Sequence, residues 1–195
     1  MVELLKPTLV SIVLGSMVPI KESKLNWRGN KLGGMSSEEI DDFLSGPWLA
    51  RLSCLKPDGW PYIIPLWYHW DGDAFWIVGR ARSEWAHFIA QDPRVSLVVD
   101  EPTPPIRKVI CEGIAEVVER EVGPFLPNGE KSQWNIIGEN FTGPRYLGEK
   151  ANEYRGSVNV EPCWTIKIPP KKLTTWQGFG WHERYKHPEL YDEKS

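Results

Sequence analysis

The sequence predicts an all-β protein: a small antiparallel barrel with peripheral helices. Three observations carry this. Short runs rich in β-forming residues recur at close spacing from Trp48 to Gln177. Turn signatures, among them Lys56-Pro57-Asp58-Gly59 and Asp71-Gly72-Asp73, join several of them as hairpins. One capped helix, between the third and fourth strands, interrupts the series. A chain of 195 residues suits one domain of this kind with a decoration.

Residues 1–35 are expected to form an N-terminal arm. Its apolar stretch, Leu9 to Ile20, is too short to cross a bilayer and contains Pro19. No A-x-A cleavage site follows it, so an arm packed on the body or on a partner chain is expected. Ser36-Ser37-Glu38-Glu39 matches a capping box, with Ser36 as the cap and Glu39 at the third helical position. Ile40, Phe43 and Leu44 then share one helical face, and Gly46-Pro47 stops the helix.

Six to seven strands are expected to follow. Trp48–Leu55, Tyr62–Trp70 and Ala74–Gly79 come first, with Pro65 marking an edge or a bulge in the second. A helix opened by Ser83 and closed at Asp92-Pro93 separates them from Arg94–Asp100. Ile106–Val118 is read as one long strand, Cys163–Ile168 alternates cleanly, and Lys172–Gln177 is short. Residues 121–160 break the rhythm and read as an insertion with one or two short helices. Its Trp134, Phe141, Arg145, Tyr146 and Tyr154 suit either an aromatic lid or a structural cover. The barrel domain is assigned to residues 36–185 and a C-terminal tail to 186–195.

Composition excludes several classes of function. A net charge of −3 argues against non-specific nucleic-acid binding, which needs a basic face. Cys54, Cys111 and Cys163 have no paired spacing and read as reduced thiols of a cytoplasmic protein. No metal-ligand spacing, Rossmann fingerprint or P-loop is present, and His69 and His87 read as packing or surface residues. No membrane association and no metal are expected. Eleven tryptophans suit half-buried strands, interfaces and flat ligands.

One segment carries chemistry. A strand ends at Val78-Gly79, the turn Arg80-Ala81-Arg82 follows, and Ser83 opens a helix. A helix start offers free N–H groups and partial positive charge, and arginines hold phosphate through charge-assisted hydrogen bonds. The turn is therefore a candidate phosphate socket, with an ordinary capped surface helix as the competing reading. Strand backbone near Pro65 and Val78-Gly79 suits the polar edge of a flat heterocycle, and Arg107-Lys108 adds positive charge.

Four segments resemble the pyridoxamine 5′-phosphate oxidase-like family of FMN-binding split barrels. They are P-Y-I-I-P-L-W-Y at 61–68, G-R-A-R-S-E-W-A at 79–86 with its D-P-R-V ending, I-R-K-V-I-C-E-G-I-A-E-V at 106–117, and W-Q-G-F-G-W-H-E-R-Y at 176–185. The resemblance covers roughly 36–120 and returns near 160–185. It implies a dimeric split barrel that binds FMN at the subunit interface and serves as a flavin-dependent oxidoreductase. The same fold would accommodate a deazaflavin coenzyme, or act as a non-catalytic flavin or haem carrier. Carried over by residue, Pro65, Leu66 and Trp67 border the cofactor, and Val78 and Gly79 meet the flavin ring through backbone. Ser83 sits at the phosphate with Arg80 and Arg82 supplying charge, and Trp85 stands where the oxidase has a lysine. Lys108 takes the place of a flavin-contacting glutamine. Trp176 and Arg184 match flavin contacts, and His182 matches a substrate contact. The oxidase's arginine two residues before that histidine is absent, so the resemblance does not extend to pyridoxamine phosphate as substrate.

Overall fold

The computed structural model describes residues 31–32, 34–158 and 161–178. Ten strands among them form two sheets. The strands are β1 (Lys31–Leu32), β2 (Ala50–Leu55), β3 (Pro61–Leu66), β4 (Tyr68–Trp70), β5 (Phe75–Arg80), β6 (Arg94–Asp100), β7 (Lys108–Ile114), β8 (Glu116–Val122), β9 (Cys163–Ile168) and β10 (Pro170–Trp176). The larger sheet has the order β1-β10-β7-β6-β2-β3 and the smaller one β4-β5-β9-β8. All pairings are antiparallel except β1 with β10. The fold is a split barrel.

Two strands that the sequence presents as continuous each bend from one sheet into the other. Tyr62–Trp70 divides at Trp67 into β3 of the larger sheet and β4 of the smaller. Ile106–Val118 divides at Ala115, whose N–H donates to the Pro93 carbonyl at 2.8 Å. Strands that switch sheets are how packed sheets make corners. These two divisions, with the added β1, turn the seven expected strands into ten.

The first helix, α1 (Ser37–Leu44), starts as its sequence requires. The Glu39 N–H donates to Ser36 Oγ at 3.1 Å and the Ser36 N–H donates to Glu39 Oε2 at 2.7 Å. Ile40, Phe43 and Leu44 are buried and close one end of the core. Trp164, Tyr68 and Phe75 fill its centre, and the Tyr68 hydroxyl donates to the Leu44 carbonyl at 3.0 Å, tying barrel to helix. Met35 is fully buried and its N–H donates to Thr175 Oγ1, so the chain entering the barrel is packed against β10. The second helix, α2 (Glu84–Gln91), buries Ala86 and Ile89.

Residues 123–158 carry more helix than the one or two short pieces expected. Helix α3 (Gln133–Ile137) runs into a π-helical turn (Gly138–Thr142). Next come α4 (Gly143–Leu147), a 3-10 turn (Gly148–Lys150) and α5 (Ala151–Val158). Strand β8 reaches Val122, so the insertion begins after it. Among the described residues, no helix is long and apolar enough to cross a membrane.

Candidate functional site

Strand alternation decides which side chains reach the seam between the sheets. On β5, Phe75, Ile77 and Gly79 face the core, while Val78 and Arg80 face outward. Gly79 has no room for a side chain, because a Cβ there would lie 2.7 Å from the Trp85 ring. Trp85 therefore packs on the core side of β5, away from the outward face. The β3–β4 bend presents Pro65, Leu66 and Trp67 beside Val78 and Arg80, and Cys163 sits opposite Arg80 in the ladder.

These residues form one wall of a cleft of about 410 Å³. That volume lies in the usual range for small-molecule sites. The opposite wall comes from the insertion: Trp134 and Asn135 of α3, Thr142 and Gly143 around the π-helical turn, and Tyr154 of α5. A π-helical turn inside helical structure is a frequent companion of functional sites. Here it brings Gly138 and Gly143 so close that a Cβ on Gly143 would lie 2.5 Å from the Gly138 carbonyl.

The insertion wall is fixed in place. Glu119 on β8 accepts from the Gln133 and Trp134 N–H groups at 2.7 and 3.2 Å and from Thr165 Oγ1 at 2.6 Å. The Trp134 indole donates to the Val122 carbonyl at 2.8 Å. At the far end, Tyr146 stacks on Trp67 and its hydroxyl donates to the Trp48 carbonyl at 2.8 Å. Arg145 donates to the Tyr68 carbonyl at 3.1 Å, and Phe141 stacks on His69 with ring centroids 3.8 Å apart.

The arginine turn divides its two charges. Arg80 lines the cleft, and its side chain forms no hydrogen bond or ion pair among the described residues. Arg82 points outward and pairs with Glu161 at 3.0 Å. Ser83 occupies the N-cap of α2 with extended backbone, yet its hydroxyl makes no capping bond. The turn is closed by the Ser83 N–H donating to the Arg80 carbonyl at 2.8 Å, and the Ala81 N–H donates to Pro162 at 2.9 Å. Burial pushes the Cys163 thiol up to about 11 against the opposing pull of Arg80, so this thiol stays protonated.

Lys108 and Trp176 come together elsewhere. They are ladder partners on β7 and β10, and the Lys108 ammonium lies 5.2 Å from the Trp176 ring centroid. Lys108 lines a shallow groove on the outer face of the larger sheet with Arg51, Val98, Asp100 and Ile110. Pro65 and Ile110 are separated along the ladder Pro65–Arg51–Val98–Ile110, three strand spacings or roughly 14 Å. One chain therefore gathers Pro65, Leu66, Trp67, Val78 and Arg80 at the cleft and leaves Lys108 and Trp176 apart. His182 and Arg184 lie outside the described residues.

Leu49, Asn135, Thr142 and Cys163 line the cleft, a place that the sequence did not assign to them. Each arrives through tertiary contact and carries no local motif. Among the described residues, no group of His, Cys, Asp or Glu could hold a metal ion.

Comparison with known proteins agrees with this architecture. Residues 36–132 match the family model described as pyridoxamine 5′-phosphate oxidase. A conserved hypothetical protein from Mycobacterium tuberculosis is 27% identical, with a TM-score of 0.57 over 74% of this chain and 86% of that one. A FAD-binding protein from Mesorhizobium loti is 18% identical, with a TM-score of 0.51 over 75% of this chain and 96% of that one. The haem storage protein HutZ from Vibrio cholerae is 17% identical, with a TM-score of 0.53 over 73% of this chain and 95% of that one. At those last two identities the likeness is one of fold. No curated protein sequence matches the chain.

Proposed function

We propose that this chain, which belongs to the pyridoxamine 5′-phosphate oxidase-like family, binds FMN and works as an oxidoreductase on a small molecule. The observation that carries the reading is Arg80: its guanidinium has no hydrogen-bonding partner among the described residues, and it lines an aromatic, largely apolar cleft. A guanidinium outside any ion pair is available to an anion through charge-assisted hydrogen bonds. Ser83, three residues on, keeps its hydroxyl free of the helix cap and so available as a second donor.

The residues present fit the cofactor. Leu66, Val78 and Trp67, the last braced by Tyr146, offer apolar surface for a ring system, and the insertion forms the opposite wall. Bound flavin supplies the hydride chemistry. The chain's own part is to bind the phosphate through Arg80 and Ser83, orient the ring along β5, and keep the cleft dry.

The active unit is a homodimer in this reading. Lys108 and Trp176 reach a cofactor only from a second chain, and the face that carries them exposes Ile63 at 67% and Ile110 at 38%. His182 and Arg184 are assigned to substrate and flavin on the family resemblance alone. Three free, buried cysteines fit the proposed cytoplasmic setting.

The absorption spectrum of the purified protein tests the cofactor. Flavin bands released as FMN on denaturation support the reading. A deazaflavin band would move the protein to the alternative coenzyme, a Soret band would make it a haem carrier, and a colourless protein that takes up none of the three would end the proposal.

A further inference from the structure

We infer that Glu161 determines how strongly the arginine turn discriminates for phosphate charge, an inference that rests on the cofactor reading above. The feature behind it is a carboxylate where an anion socket has no need of one. Glu161 Oε1 lies 3.0 Å from Arg82 Nη1. The pairing crosses 79 residues of sequence, and local geometry holds it in place. The Ala81 N–H donates to Pro162 at 2.9 Å, and Cys163 is the ladder partner of Arg80, so the backbone that follows Glu161 is locked to the turn.

The charges near the turn are Arg80 and Arg82 against Glu161 and Glu84, the first residue of α2. Two cations thus face two carboxylates. Glu161 neutralises the outer arginine and Glu84 offsets further positive charge, so Arg80 is left as the cation of the turn that is outside an ion pair among the described residues. Glu161 also repels the phosphate directly. The ion pair is exposed, with side chains 66% and 40% accessible, so its stabilising effect on the fold is small. Its influence on an incoming anion is a matter of field and is sensitive to salt. Glu161 is therefore a specificity-determining residue: it holds down the preference for a phosphorylated ligand over its neutral parent.

The test measures dissociation constants of FMN and riboflavin for the full-length parent, Glu161→Gln and Glu161→Asp, at low and high salt. Glu161→Gln should raise the preference for FMN over riboflavin about three- to fivefold at low salt, the scale of an exposed ion pair. Riboflavin affinity should not change, Glu161→Asp should keep the parent ratio, and high salt should erase the difference. An unchanged ratio in Glu161→Gln overturns the inference alone. Equal weakening of FMN and riboflavin also overturns it, since that is the mark of a purely structural residue. Failure of the parent to bind FMN overturns the cofactor reading and this inference with it.

Discussion

Trp67 and Tyr146 lie face to face, with ring centroids 5.1 Å apart and planes 4° from parallel. The contact joins the bend between β3 and β4 to the insertion, 79 residues later in the chain. Tyr146 reinforces it by donating its hydroxyl to the Trp48 carbonyl. The bend shapes one wall of the cleft and α4 braces the other, so this pair sets the width of the cleft.

Removing the hydroxyl separates stacking from hydrogen bonding. Tyr146→Phe should lower the unfolding free energy by about 1 kcal/mol, since the bond to Trp48 at 2.8 Å is the short one and those with the Tyr68 backbone, at 3.4 and 3.5 Å, are long. Urea denaturation followed by tryptophan fluorescence reads it. A variant with the parent's midpoint would show that the Trp48 contact contributes nothing.

Glu119 is the second anchor of the insertion. Glu119→Ala leaves the Gln133 and Trp134 N–H groups and the Thr165 hydroxyl without their acceptor. The expected cost is about 2–3 kcal/mol, since the lost bonds were made to a charged group. Limited proteolysis should then cut within 123–158 before the barrel. Unaltered protease resistance together with an unaltered melting temperature would contradict the anchoring role.

These two anchors show where sequence reading stops. The Ser36–Glu39 capping box and the start of α2 at Ser83 are local, and both are legible within four residues. The bends at Trp67 and Ala115 are not. Tyr62, Ile64, Leu66, Tyr68 and Trp70 keep their alternation through the bend, so a strand that changes sheets looks like one that does not. The Glu119 cap, the Arg82–Glu161 pair and the entry of Asn135 and Thr142 into the cleft join residues far apart in sequence and leave no pattern in either segment. The strand–arginine turn–helix order did mark the candidate socket, but the pairing of Arg82 with Glu161, which separates the two arginines in role, left no local signal.

His69 predicts an acid-sensitive insertion. Burial, and next the nearby Arg145, hold its imidazole below the ordinary histidine value, with Asp71 pulling the other way. Its buried Nδ1 has no hydrogen-bond partner. A depressed value means the unfolded chain binds the proton more readily. Stability from this group is thus complete above about pH 6.5, the unfolded value, and is lost as pH falls from there through the folded value. His69→Phe keeps a ring against Phe141 and should flatten this slope. If parent and variant lose stability in parallel between pH 7.5 and 5, His69 is not the responsible group.

The dimer proposal turns on the outer face of the larger sheet. Light scattering of the parent should give about twice the chain mass of 22.4 kDa. Ile110→Glu places a charge at the centre of that face and should give monomers that bind flavin poorly, because charge burial at an interface core is disfavoured. A parent that is monomeric and still retains flavin would sink the shared site.

The most direct measurement is the affinity of FMN and riboflavin for the parent and for Arg80→Ala. The account predicts that the variant loses roughly 1.5–3 kcal/mol of FMN affinity, the size of a charge-assisted hydrogen bond, about tenfold or more in dissociation constant. Riboflavin should bind parent and variant alike. FMN binding to Arg80→Ala as tightly as to the parent would contradict the assignment of this cleft and turn as the cofactor site.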